Sequence, residues 1–147
     1  MRNIVVIGIF IAGILAIFSL FNSMIMKTEY KNVKVGNTII TAEIADSISE
    51  RIVGLMNKKS LTNNQGMLFI FNNEGHHGIW MLNMSFSIDI LWVDKDYKII
   101  HIVENAQPCM LNCPVYTPDE KALYIVEVKS GFVSKNRIKI GDSIKVS

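Results

Sequence analysis

The sequence predicts a mostly β domain of the α+β class: a compact barrel-like or sandwiched antiparallel sheet with one short helix, preceded by a single transmembrane helix. Three observations carry this expectation. Apolar runs of strand length recur through 33–147, set apart by Gly, Asn and Asp turn signals. One capping-box signature stands at Ser47 and Glu50. The hydrophobicity is also uneven, because Ile4 to Phe21 is a run of 18 residues without a charge. A helix needs about 20 apolar residues to cross the hydrocarbon core.

Residues 4–26 hold 18 apolar residues out of 23, against 54 of 121 in 27–147. The grease is therefore local, and the remainder is an ordinary globular composition. The expected division is a signal anchor over 1–26, a juxtamembrane linker over 27–32 and a β domain over 33–147. A cleavable signal peptide competes, with Arg2 as its charged start. Its apolar core would exceed the usual length of about 7–15 residues, and no A-x-A cleavage signal follows. Lys27, Lys31 and Lys34 on the far side would be held in the cytoplasm by the positive-inside rule. Short anchors that begin with an arginine nonetheless often export the following domain, and an extracytoplasmic domain is the expectation.

The elements follow in order. Val33 and Val35 alternate with polar residues and run into Gly36-Asn37, a two-residue hairpin signal. The return strand, 38–44, places Ile40, Ala42 and Ile44 on one face. Ser47 opens a helix whose Ile48, Ile52, Leu55 and Met56 have the spacing of one buried face, ending near Asn57. Met67 to Phe71 is an apolar strand, followed by a turn-rich loop, 72–78. Ile79 to Asn83 is a further strand. Ile88 to Val93 and Lys98 to Glu104 flank a turn at Asp94 to Tyr97. The stretch 105–121 holds all three prolines and both cysteines, and loops of that length are often functional. Ala122 to Val128 is a strand, Ser130 to Asn136 a short helical turn, and Ile138 to Val146 a last hairpin about Gly141-Asp142.

Composition excludes several classes. Half the residues are apolar, which is incompatible with disorder. A net charge of +2 gives no basic footprint for nucleic acid. Two cysteines are too few for a disulfide scaffold or a four-cysteine zinc site. No nucleophile elbow, phosphate loop or H-E-x-x-H occurs.

The order of the short motifs is itself informative. Arg51-Ile52-Val53-Gly54-Leu55-Met56, Gly66-Met67-Leu68-Phe69-Ile70-Phe71, Trp80-Met81-Leu82-Asn83 and Ile88-Asp89-Ile90-Leu91-Trp92-Val93-Asp94 follow at short spacings. Tyr124-Ile125-Val126-Glu127-Val128, Gly131-Phe132 and Ile138-Lys139-Ile140-Gly141-Asp142 complete the series. This succession resembles the family called domain of unknown function 192 (DUF 192), over roughly 33–146. The resemblance implies a compact, mostly β domain with one short helix, often behind an export signal or anchor, and brings no accepted activity. Two positions depart from the family pattern: Met84 stands where threonine is usual, and Ser87 where proline is usual.

Four residues form the candidate binding patch. Asp89 lies within an apolar strand, where a carboxylate needs a partner or has its pKa raised; Arg51, Trp80 and Asn83 are its neighbours in the family pattern. Cys109 and Cys113 are disulfide candidates if the domain lies outside the cytoplasm, with free thiols, metal ligation and redox chemistry as the alternatives. Glu74, His76 and His77 are the most suggestive metal-like cluster, and no metal or other cofactor is expected. The expected function is a non-catalytic binding or accessory module, held to the membrane by its N-terminal helix and taking a small-molecule, glycan or protein ligand. The alternative is a hydrolytic or metal-assisted enzyme using Asp89 with His76 or His77.

Overall fold

Apolar side chains on both faces of one large sheet give the domain two separate cores. The computed structural model describes residues 28–147. The expected transmembrane helix, 1–26, lies outside them; among the described residues no helix is long and apolar enough to cross a membrane. The strands are β1 (Tyr30–Val35), β2 (Thr38–Ala45), β3 (Gln65–Gly75), β4 (Ile79–Trp80), β5 (Ile88–Val93), β6 (Ile99–Ala106), β7 (Val115–Tyr116), β8 (Ala122–Lys129) and β9 (Ile144–Val146). The helices are α1 (Ile48–Val53) and α2 (Phe132–Asn136). Seven strands pair in the order β6-β5-β8-β3-β2-β1-β9, and β4 pairs with β7 in a separate ribbon.

The sheet curls into a half-barrel whose edges meet at one end. Ile99 N–H donates to Asp142 O at 2.8 Å, and Ile144 N–H to Tyr97 O at 2.9 Å, so the start of β6 is tied to the segment entering β9. The curl explains the inner core. Val33 of β1, Ile144 of β9 and Ile99 of β6 come from opposite ends of the strand order, yet they share one cluster with Leu68, Leu91 and Val126. A second core covers the outer face, where Met67, Phe69, Ile90, Trp92 and Ile125 meet Leu55, Leu61, Ile79, Met81 and Met84 from the connecting segments. β5 is buried at all six positions because it lies between the two cores, which is why it reads as a nearly unbroken apolar run.

The first hairpin and the Asp94–Tyr97 turn form where the sequence predicts them. Asp94 fixes the turn by accepting from the N–H groups of Asp96 and Lys98. Several other expectations change. β1 begins at Tyr30, within the expected linker. The sheet is not wholly antiparallel: β2 and β3 run parallel, because the segment between them, carrying α1, is long enough for a crossover. The capping box is present, with Ser47 Oγ accepting from Glu50 N–H and Glu50 accepting from Ser47 N–H. But α1 stops at Val53, because Gly54 adopts φ 49°, a left-handed conformation that costs glycine little. Ile48 and Ile52 are consequently exposed rather than buried, while Leu55 enters the outer core and Met56 packs against it. β3 runs on to Gly75 through the expected loop. The last hairpin does not form: its return strand, β9, pairs with β1 instead.

Candidate functional site

A cleft lies between α1, the segment after it and β4. Arg51, Ile52, Val53, Gly54, Leu55 and Met56 form one wall; Gly78, Ile79, Trp80, Met81 and Met84 form the other; Phe69 and Glu127 line it from the sheet. The geometry follows from the chain. Gly54 ends α1 and turns Leu55 down onto the outer core, so the exposed Ile52 and Val53 remain at the rim. Trp80 pairs with Val115 across the β4–β7 ribbon, which leaves the indole 50% exposed beside the opening. The recess is about 60 Å³. That is room for a side-chain tip or two waters, far below the roughly 300–1,000 Å³ of a typical small-molecule pocket.

Glu127 is the one ionisable group deep in this cleft. It sits on β8 between Met67 of β3 and Ile90 of β5, both apolar, and is only 4% exposed. Burial alone raises its pKa from the ordinary carboxyl value to about 8. No hydrogen bond or nearby charge opposes this. Yet among the described residues no sealed side-chain oxygen or nitrogen lacks a partner, so the unpartnered carboxyl is open to the cleft.

Of the four expected patch residues, the fold brings together Arg51 and Trp80, which line the same cleft. Arg51 Nη1 donates to Ile70 O at 2.8 Å and to Asp46 O, and its guanidinium lies 5.2 Å from the Phe71 ring centroid. Asn83 holds a left-handed turn (φ 56°), with its N–H on Cys109 O. Asp89 stands apart. It is fully buried, and shares the inner face with Leu91 and Val93, the opposite side of the sheet from Glu127. Its Oδ1 accepts from Asn105 N–H and its Oδ2 from Val133 N–H, both at 2.9 Å. The carboxylate is thus fully used in joining β6 and α2 to β5.

The other candidates are also located. Cys109 and Cys113 form a disulfide, with Cα atoms 5.5 Å apart. It closes a loop carrying the exposed Met110 and Leu111. His76 Nδ1 contacts Pro118 O; His77 stacks on Phe71 with centroids 3.6 Å apart and contacts Asn73 O; Glu74 lies 4.0 Å from Lys95. Among the described residues no three His, Cys, Asp or Glu side chains are grouped to hold a metal ion. Asp89 and His77 are not brought together: Asp89 faces the inner core while His77 packs on the outer side, its carbonyl accepting from Trp92 Nε1. Glu127 was absent from the expected set. The signal was available, because it interrupts an apolar strand just as Asp89 does.

The comparisons with known proteins agree with this fold. The model of DUF192, an uncharacterized ACR family, matches residues 31–146. The chain belongs to the DUF192 family. A UPF0127 protein of Pyrococcus horikoshii is 31% identical over 107 residues, covering 69% of this chain and 84% of that protein. A UPF0127 protein of Thermococcus kodakarensis is 29% identical over 104 residues, and there the match spans only 62% of the relative's length. Two crystal structures are similar. A Sinorhizobium meliloti protein, named as a candidate transcription regulator, has a TM-score of 0.77 at 27% identity, over 82% of this chain and 96% of its own. A Novosphingobium aromaticivorans protein of unknown function has a TM-score of 0.72 at 26% identity, over 80% of this chain and 84% of its own. The DUF192 assignment defines the domain and carries no reaction with it.

Proposed function

We propose that this DUF192 domain is a non-catalytic binding module, and that the cleft between α1 and β4 is where its ligand sits. One observation carries the reading: a recessed carboxyl without a partner, in a cleft rimmed by a half-exposed tryptophan and exposed aliphatic residues. A buried polar group left unpaired costs free energy that a ligand can recover. The cleft also lacks a nucleophile or a second acid–base group close to Glu127, which favours binding over catalysis. We further propose that the domain works outside the cytoplasm, held by the apolar segment 4–26. The Cys109–Cys113 disulfide supports an oxidising compartment. The 14 basic and 13 acidic residues of 27–147 give no net positive field for nucleic acid, so the name of the Sinorhizobium protein is not carried over.

A thermal-shift screen of sugars, peptides and lipids tests this reading on the wild type, Trp80→Ala and Asp89→Asn. A true ligand stabilises the wild type and Asp89→Asn but not Trp80→Ala. Equal stabilisation of all three would place the site elsewhere.

A further inference from the structure

We infer that the cleft is a socket for an alkylammonium group, the side chain of a lysine on a protein partner, with Glu127 as its carboxylate acceptor and Trp80 against its stem. This rests on the cleft being the binding site and goes on to name what fills it. Three features on different parts of the wall agree.

The first is charge. Among the described residues Glu127 has no partner, and its neighbours leave it open to a cation from outside. Facing it are Met67 and Phe69 from β3 and Ile90 from β5, all uncharged. Lys129, next along its own strand on that face, is exposed. Glu43, two strands away, is already paired with Lys58. β4 contributes only Ile79 and Trp80. Arg51 of α1 is the single cation of the lining; its Nη1 is turned to the Ile70 and Asp46 carbonyl oxygens, and the raised pKa of Glu127 has burial as its one cause. An incoming ammonium would supply the missing counter-charge.

The second feature is size and lining. About 60 Å³ accepts an ammonium and one or two methylenes. The walls beside it are Met56, Met81, Met84 and Trp80, apolar surface of the kind that packs along a lysine stem. An indole is also the best aromatic partner for a cation. The third feature selects a protein source over a free amine. Ile52 (59% exposed), Val53, Trp80 and Val115 spread apolar surface beyond the recess, and a small amine would leave that surface uncovered.

A neutral ligand accepting a hydrogen bond from the protonated carboxyl is the competitor, and pH separates the two. A cation binds the ionised carboxyl, so affinity rises with pH through about 8 and holds until the lysine itself deprotonates near 10.4. A neutral acceptor shows the opposite slope.

The experiment is calorimetric titration of the full chain in neutral detergent at pH 6, 7 and 9. The probes are the peptide acetyl-Ala-Leu-Lys-Leu-Ala-amide, its norleucine analogue and n-butylamine. The lysine peptide should bind roughly a hundredfold more weakly at pH 6 than at pH 9, and close to one proton should be released per peptide at pH 7. Glu127→Gln should abolish the pH dependence, and Trp80→Ala, an exposed position that spares the core, should weaken binding at every pH. Equal binding of both peptides, or affinity that falls with pH, overturns the inference while leaving the cleft as a binding site. Equal binding of butylamine and peptide overturns the protein-partner assignment. Failure of all three probes overturns the inference, and the separate thermal-shift screen then decides whether the cleft binds anything.

Discussion

Asp89 and Glu127 are buried carboxylates on neighbouring strands with opposite fates. Asp89 accepts two backbone N–H groups at 2.9 Å; among the described residues Glu127 accepts none. In the sequence the two look alike, each a single acid in an apolar run. What separates them is contact with partners 16 and 44 residues away, which local spacing does not reveal. Two predictions belong here. Asp89→Ala leaves the buried Val133 N–H and the part-buried Asn105 N–H unpaired and should cost about 3–6 kcal/mol, at roughly 1.5–3 kcal/mol for each hydrogen bond to a charged group, seen as a lower urea midpoint. Glu127→Gln should do the reverse, with a pH signature. The pKa of Glu127 is raised on folding, so its favourable contribution is whole below the unfolded value near 4.5 and is lost as pH rises through about 8. The variant should therefore match the wild type or fall below it at pH 4, and be more stable by about 1–3 kcal/mol at pH 8. The upper bound reflects about 1.4 kcal/mol for every tenfold change in proton affinity on folding, and the buried amide offsets part of the gain. Urea denaturation at the two pH values reads the difference.

At the scale of elements, local signals identified β1, β2, the capping box and the β5–β6 turn, because turn chemistry and alternation are properties of adjacent residues. The course of the chain after those signals was less readable. The spacing of Ile48, Ile52, Leu55 and Met56 matches a helical face, but Gly54 ends the helix and both isoleucines are exposed, Ile52 at the rim of the cleft. Gly141-Asp142 is a genuine turn, yet the strand beyond it finds β1 rather than its own neighbour. Gly66 stands where a side chain has no room. A Cβ there would lie 2.6 Å from Glu127 O and 2.9 Å from Ile40 Cδ1, where β3 pairs with β8. Gly66→Ala should therefore lower stability by about 2–3 kcal/mol through overpacking, measured by thermal unfolding. The disulfide acts on a smaller scale. Its cysteines are only 4 positions apart, so closing the loop removes little chain entropy. Reduction should leave the melting temperature nearly unchanged while raising proteolysis at Met110 and Leu111.

For the whole molecule, the curl of the seven-stranded sheet explains how a chain this short supports two cores: the inner face closes on itself, and the outer face is covered by the segments that frame the cleft. Composition anticipated a mostly β domain because the apolar residues of 33–147 come in strand-length runs. It could not reveal the parallel β2–β3 pair or the junction between β6 and β9, which depend on pairings between distant segments. Orientation also belongs to this scale. The proposed anchor at 4–26 and export of the domain predict that an impermeant thiol reagent added to intact cells after mild reduction labels Cys109 and Cys113; labelling only after lysis would put the domain inside. The proposed ligand capture at the cleft depends on a carboxyl held unpaired at its foot. The direct measurement is a carbon-13 NMR titration of the Glu127 side-chain carboxyl in the free protein. A transition near pH 8 is the result predicted, and one in the ordinary range of about pH 4 to 5 would contradict it, because the carboxyl would then be either solvated or already paired.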